Sequence, residues 1–238
     1  MPRDKSTFHF KQFSVRHADS TMKVGTDGVL IGAWSGQGIS PGKILDIGTG
    51  SGLIALMQAQ RFPQAQVTGI EVHPAAATEA LLNASQSPFA KRIEIIQQDF
   101  TQWQANHLFD LIISNPPYFS SALHSNNQEK NLVRHQIGMT VSHLLEHAVQ
   151  ILSSEGKLSL ILPTREMQAA FSHATVLGLH CCRVCEIRSK AGQEVIRIMA
   201  EWSPRYQEQI TDQLIIYEED GSYTHGYKML TKDFYLAF

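Results

Sequence analysis

At 238 residues, 43% hydrophobic and 18% charged, the chain has enough apolar material for one sizeable core. No run approaches the ~18 uninterrupted apolar residues of a membrane span, and the first twenty residues mix Arg3, Asp4, Lys5, Lys11 and Arg16 with no apolar signal core. That excludes a membrane-inserted chain and reads as a soluble cytoplasmic protein, while the formal net charge of -2 lacks the basic excess that phosphate contacts ordinarily leave.

Charge is uneven along the chain. Residues 1–23 carry Arg3, Lys5, Lys11, Arg16 and Lys23 against Asp4 and Asp19, with His9 and His17 able to add to the surplus. A short basic N-terminal segment over 1–40 is expected, either a solvated end or an arm facing RNA. Within it, Met22 to Gly28 reads as a turn into a short helix, with Thr26 or Asp27 as cap, Val29 to Trp34 as apolar residues, and Gly36 and Gly38 as terminators. Pro41 and Gly42 then punctuate the chain.

From there apolar strand-like runs alternate with helical patterns, as in a parallel sheet with crossover helices. Strands are expected at 43–47, 66–70, 92–96, 109–114, 157–162, 179–187 and 194–202, with a possible edge strand at 213–217. Helices are expected at 53–61, 75–85, 140–151 and 166–177; the third has Val141, Leu144, Leu145, Ala148 and Ile151 at three- and four-residue steps. No internal repeat or low-complexity linker intervenes, so 1–238 is expected to be a single domain of the α/β class, a doubly wound, mostly parallel sheet of seven strands. Cys181, Cys182 and Cys185 crowd one strand, odd in number and one ligand short of a structural zinc site, and read as buried thiols in a reducing compartment. The eleven histidines show no metal spacing, so no metal is expected.

The chemistry begins at Asp46-Ile47-Gly48-Thr49-Gly50-Ser51-Gly52, between the first of these strands and its helix, where an open parallel sheet places its ligand. Gly48, Gly50 and Gly52 permit a tight turn and let a ligand lie against bare backbone. This acid-x-GxGxG spacing resembles the donor loop of the class I methyltransferases, which implies S-adenosylmethionine as cofactor and a sheet of the class I methyltransferase type. Glu71 ends the next strand, 19 residues after Gly52, where a carboxylate can take both ribose hydroxyls. Asp99 follows the third strand; the resemblance implies that it accepts from the donor's adenine amino group, with Phe100 beside the ring.

Asn115-Pro116-Pro117-Tyr118 directly follows the fourth strand. A ring-conjugated or amide nitrogen is a poor nucleophile because its lone pair is delocalised. An Asn115 side-chain oxygen and a Pro116 carbonyl each accepting one N–H would move electron density onto that nitrogen as attack begins. Pro116 and Pro117 hold the backbone extended, and Tyr118 offers a flat face to an extruded base. Arg134 and His135, further on, could meet a substrate phosphate or form a plain surface pair.

With these motifs the chain resembles a narrower family, the bacterial transfer-RNA adenine N6-methyltransferases that modify adenine-37 beside the anticodon of a valine acceptor. The resemblance runs from Phe8 to Phe238 and rests on Phe10-Lys11-Gln12-Phe13, the run His17 to Gly28, Asn115 to Tyr118, and Lys232-Asp233-Phe234-Tyr235-Leu236. It implies that Lys23, Gly25, Thr26 and Asp27 close over the donor's methionine end. It implies tRNA as partner, with no stable protein partner expected. The rival within methyltransferases is glutamine N5-methylation of release factors, which shares the motif but usually places a helical recognition domain before the donor loop, where this chain has 45 residues. A guanine N2-methyltransferase, which commonly has a duplicated domain ahead, is less favoured, and a noncatalytic S-adenosylmethionine-binding or RNA-binding module would not need an intact Asn115 to Tyr118.

Overall fold

The computed structural model describes residues 6–18, 23–117 and 139–238. A hairpin of β1 (Thr7–His9) and β2 (Ser14–Arg16) precedes α1 (Thr26–Trp34). Then follow β3 (Lys43–Ile47), α2 (Leu53–Arg61), β4 (Gln66–Glu71), α3 (Pro74–Ser85), β5 (Ile93–Gln97) and β6 (Phe109–Ser114). The chain continues through α4 (Val141–Ile151), β7 (Leu152–Leu162), α5 (Thr164–Val176), β8 (His180–Arg188), β9 (Val195–Ser203), β10 (Ile210–Ile215) and α6 (His225–Thr231). The main sheet runs in the order β10-β8-β9-β7-β6-β3-β4-β5, and β9 alone among its strands runs antiparallel to its neighbours.

The central strands are short apolar runs because both faces of the sheet are covered. Leu30, Ile31 and Trp34 of α1, Ile54 and Ala59 of α2 and Tyr227 of α6 pack on one face; Leu144 and Leu145 of α4 and Met167 and Ala170 of α5 pack on the other. The expected seven strands become eight, since β10 pairs fully with β8. Its run Ile210-Thr-Asp-Gln-Leu-Ile buries only Leu214, so an edge position hides it from a hydrophobic pattern. β7 begins at Leu152, five residues before the expected Lys157, because its first part pairs irregularly with β6 between Phe109 and Leu111. Gly156 sits in that irregularity, where a Cβ would stand 2.8 Å from Leu152 Cδ1 and 3.0 Å from the Phe109 carbonyl.

Two further differences concern α1. Its N-cap is Gly25 in extended backbone, not Thr26 or Asp27. Its C-terminal carbonyls are gripped by side chains from three neighbouring elements. Gly32 O accepts from Gln58 Nε2 (2.7 Å) and Arg61 (3.1 Å), Ser35 O from Arg61 (2.6 Å), and Trp34 O from Arg183 (3.0 Å). The Lys157 ammonium donates to Gln37 O and to the buried Glu201, each at 3.0 Å; Glu201 also accepts from Gly36 N–H and the Ser159 hydroxyl. Cations at this end complement the helix dipole.

Across 6–18 the N-terminal segment is docked on the rest of the chain, with alternate residues exposed. Phe10, Phe13 and Val15 are buried, and Lys11 Nζ donates to the carbonyls of Lys232 (2.6 Å) and Phe238 (2.5 Å). Phe10 bridges to Tyr235, so two of the motifs that carry the family resemblance meet in space. Tyr217, Tyr223, Tyr227, Tyr235, Phe10 and Phe13 stack in succession, with interplanar angles between 10° and 27°. On its other side the segment is tied to α3. Asn83, buried, accepts from Arg16 N–H (3.0 Å) and donates to Arg16 O and Ser51 O (2.8 Å each); Glu79 accepts from Ala18 N–H (2.7 Å). Asn83→Ala strands these backbone groups in a buried site and should lower stability by about 1–3 kcal/mol in denaturant unfolding. An unfolding midpoint equal to the parent's would show that the tie carries no load.

Candidate active site

Register brings the two chemical motifs together. Ile47 of β3 pairs with Ser114 of β6, and the Ser114 hydroxyl donates to Ile47 O at 2.7 Å. The next residues are Gly48 and Asn115, so the glycine loop and the Asn-Pro-Pro segment leave adjacent strand ends side by side. Gly48, Gly50 and Gly52 have φ of 70°, 56° and 82°, values that L side chains resist. Apart from the chain neighbours, Cβ atoms at Gly48 and Gly50 would meet no atom of the described residues within 4 Å, which leaves open space beside the loop. The loop is tethered from beneath: Gly48 N–H and Thr49 N–H both donate to Ile70 O, at 2.9 and 3.0 Å.

Four acids and rings expected at the donor site have distinct surroundings. Asp46 is fully buried; its Oδ2 accepts from the Thr49 hydroxyl (2.5 Å) and Ala55 N–H (3.1 Å), and its Oδ1 has no hydrogen-bond partner among the described residues. Glu71, also buried, accepts from Gly50 N–H through Oε2 and from His73 N–H through Oε1, both at 2.9 Å, and so locks the loop to the end of β4. Each carboxylate oxygen offers a second lone-pair site, so these bonds leave acceptor capacity for two hydroxyls. Asp99 caps a short turn, taking Thr101 N–H (2.9 Å) and the Thr101 hydroxyl (2.8 Å) on Oδ1. Phe100 is buried in the core, edge-on to His147, with its ring centroid 6.2 Å away.

On the acceptor side, Asn115 is half-buried, Pro116 buried and Pro117 exposed. Asn115 Oδ1 is buried and has no hydrogen-bond partner among the described residues. An amide oxygen held dry and unpaired is a costly arrangement unless a ligand completes it. Tyr118 and Arg134, with His135, lie outside the described residues. The first turn of α1 stands over this motif: a Cβ on Gly28 would lie 3.0 Å from Leu53 Cδ2, just after the glycine loop, and 4.0 Å from Asn115 Nδ2. Lys23, Gly25 and Thr26 are exposed at that end, while Asp27 is half-buried in an ion pair with Arg197 (Nε to Oδ2, 2.7 Å). His17 Nδ1 accepts from Val24 N–H at 2.9 Å and braces the approach to Gly25.

Reading the chain as sequence misses Arg197, Glu79 and Asn83, because each acts across a long sequence separation. Arg197 belongs with the mixed charges Arg183, Arg188 and Lys190, tempered by Glu186 and Glu194, as the sequence has it. In space Arg188 pairs with Glu186 (3.0 Å) and Arg183 with Asp212 (3.7 Å), but Arg197 reaches Asp27. Cys182 and Cys185 are buried and Cys181 half-buried; burial pushes their thiols up to about 11, 12 and 12. Among the described residues no three His, Cys, Asp or Glu side chains converge as a metal site, and no helix is long and apolar enough to cross a membrane.

Burial pushes the Asp46 carboxyl up to about 7, against the lowering pull of the Thr49 hydroxyl and Ala55 N–H, with repulsion from Glu71 adding a further rise. A carboxyl raised on folding stabilises fully below its unfolded value near 4, and that contribution is lost as pH rises through about 7. The stability advantage of the parent over Asp46→Asn should therefore shrink between about pH 4 and pH 7 and level off above. A gap in thermal midpoint that is constant with pH would mean that Asp46 is ionised throughout.

A family model described as Methyltransferase small domain matches residues 17–180. A Porphyromonas gingivalis protein named tRNA1(Val) (adenine(37)-N6)-methyltransferase is 42% identical over 247 residues, covering 99% of this chain and 96% of its own. Proteins of the same name from Glaesserella parasuis serovar 5 and Bacteroides thetaiotaomicron are 40% and 38% identical over 97% and 96% of this chain and 97% of each of theirs. A crystal structure described as a predicted O-methyltransferase from Agrobacterium tumefaciens superposes with a TM-score of 0.67 over 87% of this chain and 96% of its own; at 22% identity it speaks to fold alone. Matched by that model over most of its length and aligned with these relatives nearly end to end, the chain belongs to the tRNA1(Val) (adenine(37)-N6)-methyltransferase family, within the class I methyltransferases.

Proposed function

We propose that this chain transfers a methyl group from S-adenosylmethionine to N6 of adenine 37, beside the anticodon of a valine tRNA, the reaction in its relatives' names. The observation that carries the reading to residues is the placement of Asn115, its buried Oδ1 unpartnered, one residue past the strand pair that also launches the glycine loop. We read 1–238 as one methyltransferase domain with no stable protein partner, working in the cytoplasm.

When bound, S-adenosylmethionine supplies a methyl group already activated by a positively charged sulfur, so the protein's task is mainly positioning. Asp46, the backbone of Gly48, Gly50 and Gly52, and the remaining lone pairs of Glu71 are the groups that would hold it, with Asp99 and Phe100 toward its adenine. The open space beside Gly48 and Gly50 and the orphan Asp46 Oδ1 fit such a ligand. Lys23, Gly25, Thr26 and Asp27 border it from the α1 side. Asn115 Oδ1 accepts one N–H of the adenine amino group and the Pro116 carbonyl the other, which localises the nitrogen lone pair; the nitrogen, cationic once methylated, is acidic enough to release one of these protons to water, so no general base is needed. The base is flipped from its loop to reach this position, with Pro117 and Tyr118 as its apolar and stacking walls and Arg134 toward a phosphate.

Asn115→Ala should abolish methylation of tRNA while leaving S-adenosylmethionine affinity close to parental. Transfer of labelled methyl at the parental rate would place the acceptor site elsewhere. Glu71→Gln puts an amide donor against Gly50 N–H or His73 N–H and withdraws an acceptor from the ribose. Calorimetric titration should show donor binding weakened by about 1–3 kcal/mol, and an unchanged constant would remove Glu71 from the donor site.

A further inference from the structure

We propose that Arg197 is a positioning residue for methyl transfer, acting through Asp27 to set the first turn of α1 over Asn115. The inference rests on the acceptor role read for Asn115 above.

Three observations converge on it. The first is alternation: Ile113, Ile161 and Met199 pack on the same face of the sheet as α1, α2 and α6. Two residues on from Ile113 and two before Met199, Asn115 and Arg197 fall on that same face. Ser114 pairs with Leu160, and Leu162 with Ile198. Arg197 therefore reaches the same rim of the sheet as Asn115, two strand spacings away, roughly 10 Å.

The second is what lies between them. The first turn of α1 fills that interval, with Asp27 turned to Arg197 at 2.7 Å and Gly28 set against Leu53 and the Asn115 amide. Asp27 and Gly28 are consecutive, and a Cβ at Gly28 would lie 4.0 Å from Asn115 Nδ2, so a backbone shift that follows the Asp27 carboxylate is carried toward the Asn115 amide. The pair is partly shielded, with side-chain exposures of 25% for Arg197 and 23% for Asp27, and the guanidinium is oriented by its own bond to Ile196 O at 2.7 Å.

The third is the asymmetry of the helix. Its C-terminal carbonyls are fixed by Gln58, Arg61, Arg183 and Lys157, and Gly32 packs so tightly on α2 that a Cβ would stand 2.7 Å from Met57 Sδ. At the N-terminal end the cap is a glycine with no side-chain bond, and the Asp27–Arg197 pair ties this end to the sheet. Arg197 thus holds by charge the end of the helix that lies beside Asn115, whereas the far end is held through its carbonyls.

The test uses the full-length protein with Arg197→Gln, which keeps a hydrogen-bond donor for Ile196 O but removes the charge, and Arg197→Lys, which restores it. Single-turnover methylation at saturating donor and RNA should fall about tenfold or more in Arg197→Gln and recover in Arg197→Lys. The thermal midpoint should stay near parental in both. The Asn115 side-chain amide resonance, assigned by its disappearance in Asn115→Ala, should shift in Arg197→Gln and move back in Arg197→Lys. A parental single-turnover rate, an unmoved resonance, or a rate loss that follows the thermal midpoint without rescue by Lys each overturns the proposal. Should the parent methylate no adenine in tRNA, the reading of function fails, while the resonance still decides whether Arg197 sets Asn115.

Discussion

Backbone hydrogen bonds between β3 and β6 carry this site, because the glycine loop and the Asn-Pro-Pro segment are continuations of those two strands. Ile44 to Ile47 lie opposite Leu111 to Ser114 without a bulge, and the Ser114 hydroxyl reinforces the last pair. Both strands are buried on both faces, so a slip of one residue would turn every side chain to the wrong layer. The distance between Gly48 and Asn115 is thereby set by the sheet's hydrophobic pattern and not by the loops that carry the chemistry. Loops can vary while the spacing of Gly48 and Asn115 stays constant.

Around that pair the protein arranges rigid supports from several directions. Glu71 and Ile70 O hold the glycine loop from the β4 side, and Asn83 holds Ser51 from α3 while gripping the N-terminal segment. The C-terminal carbonyls of α1 sit in a cluster of cations whose charge is balanced by buried Glu201, itself bonded to Lys157, Ser159 and Gly36. Such a buried ionic group is tolerable because its partners satisfy it, and its gain is a single seating for the helix. Among the described residues Asp46 Oδ1 and Asn115 Oδ1 are buried without a hydrogen-bond partner where the two motifs meet, as are Ser35 Oγ and Gln58 Oε1 farther along α1 and α2. Unsatisfied polar atoms at the convergence of two motifs mark where a ligand finishes the structure.

Much of this was legible in the residues. The strands 43–47 and 109–114 and the helix 53–61 fall where the apolar periodicities put them, since buried central elements leave the plainest pattern. The glycine loop and Asn115 were legible because rare backbone and rare chemistry leave few alternative uses for those residue types. β10 was not fully legible, as an edge strand buries too little to show a period. The hairpin of β1 and β2 escaped because it folds on distant partners, Asn83 and Tyr235, that no local window contains. Arg197 escaped for the same reason: its charge has near neighbours of opposite sign in sequence, and only the crossing of β9 beneath α1 selects Asp27 over them. Glu71 was read as a ribose ligand from spacing, which cannot reveal that its carboxylate braces Gly50.

The contact of Phe10 with Tyr235 joins residues more than two hundred positions apart. During synthesis the strands around the glycine loop leave the ribosome long before the segment that secures the N-terminal hairpin. A nascent chain can thus assemble its central sheet while the hairpin still waits for the aromatic rings of its clasp. Only the arrival of Phe234 and Tyr235 fastens it, so the neighbourhood of α1 becomes complete after the strands of the sheet have been made.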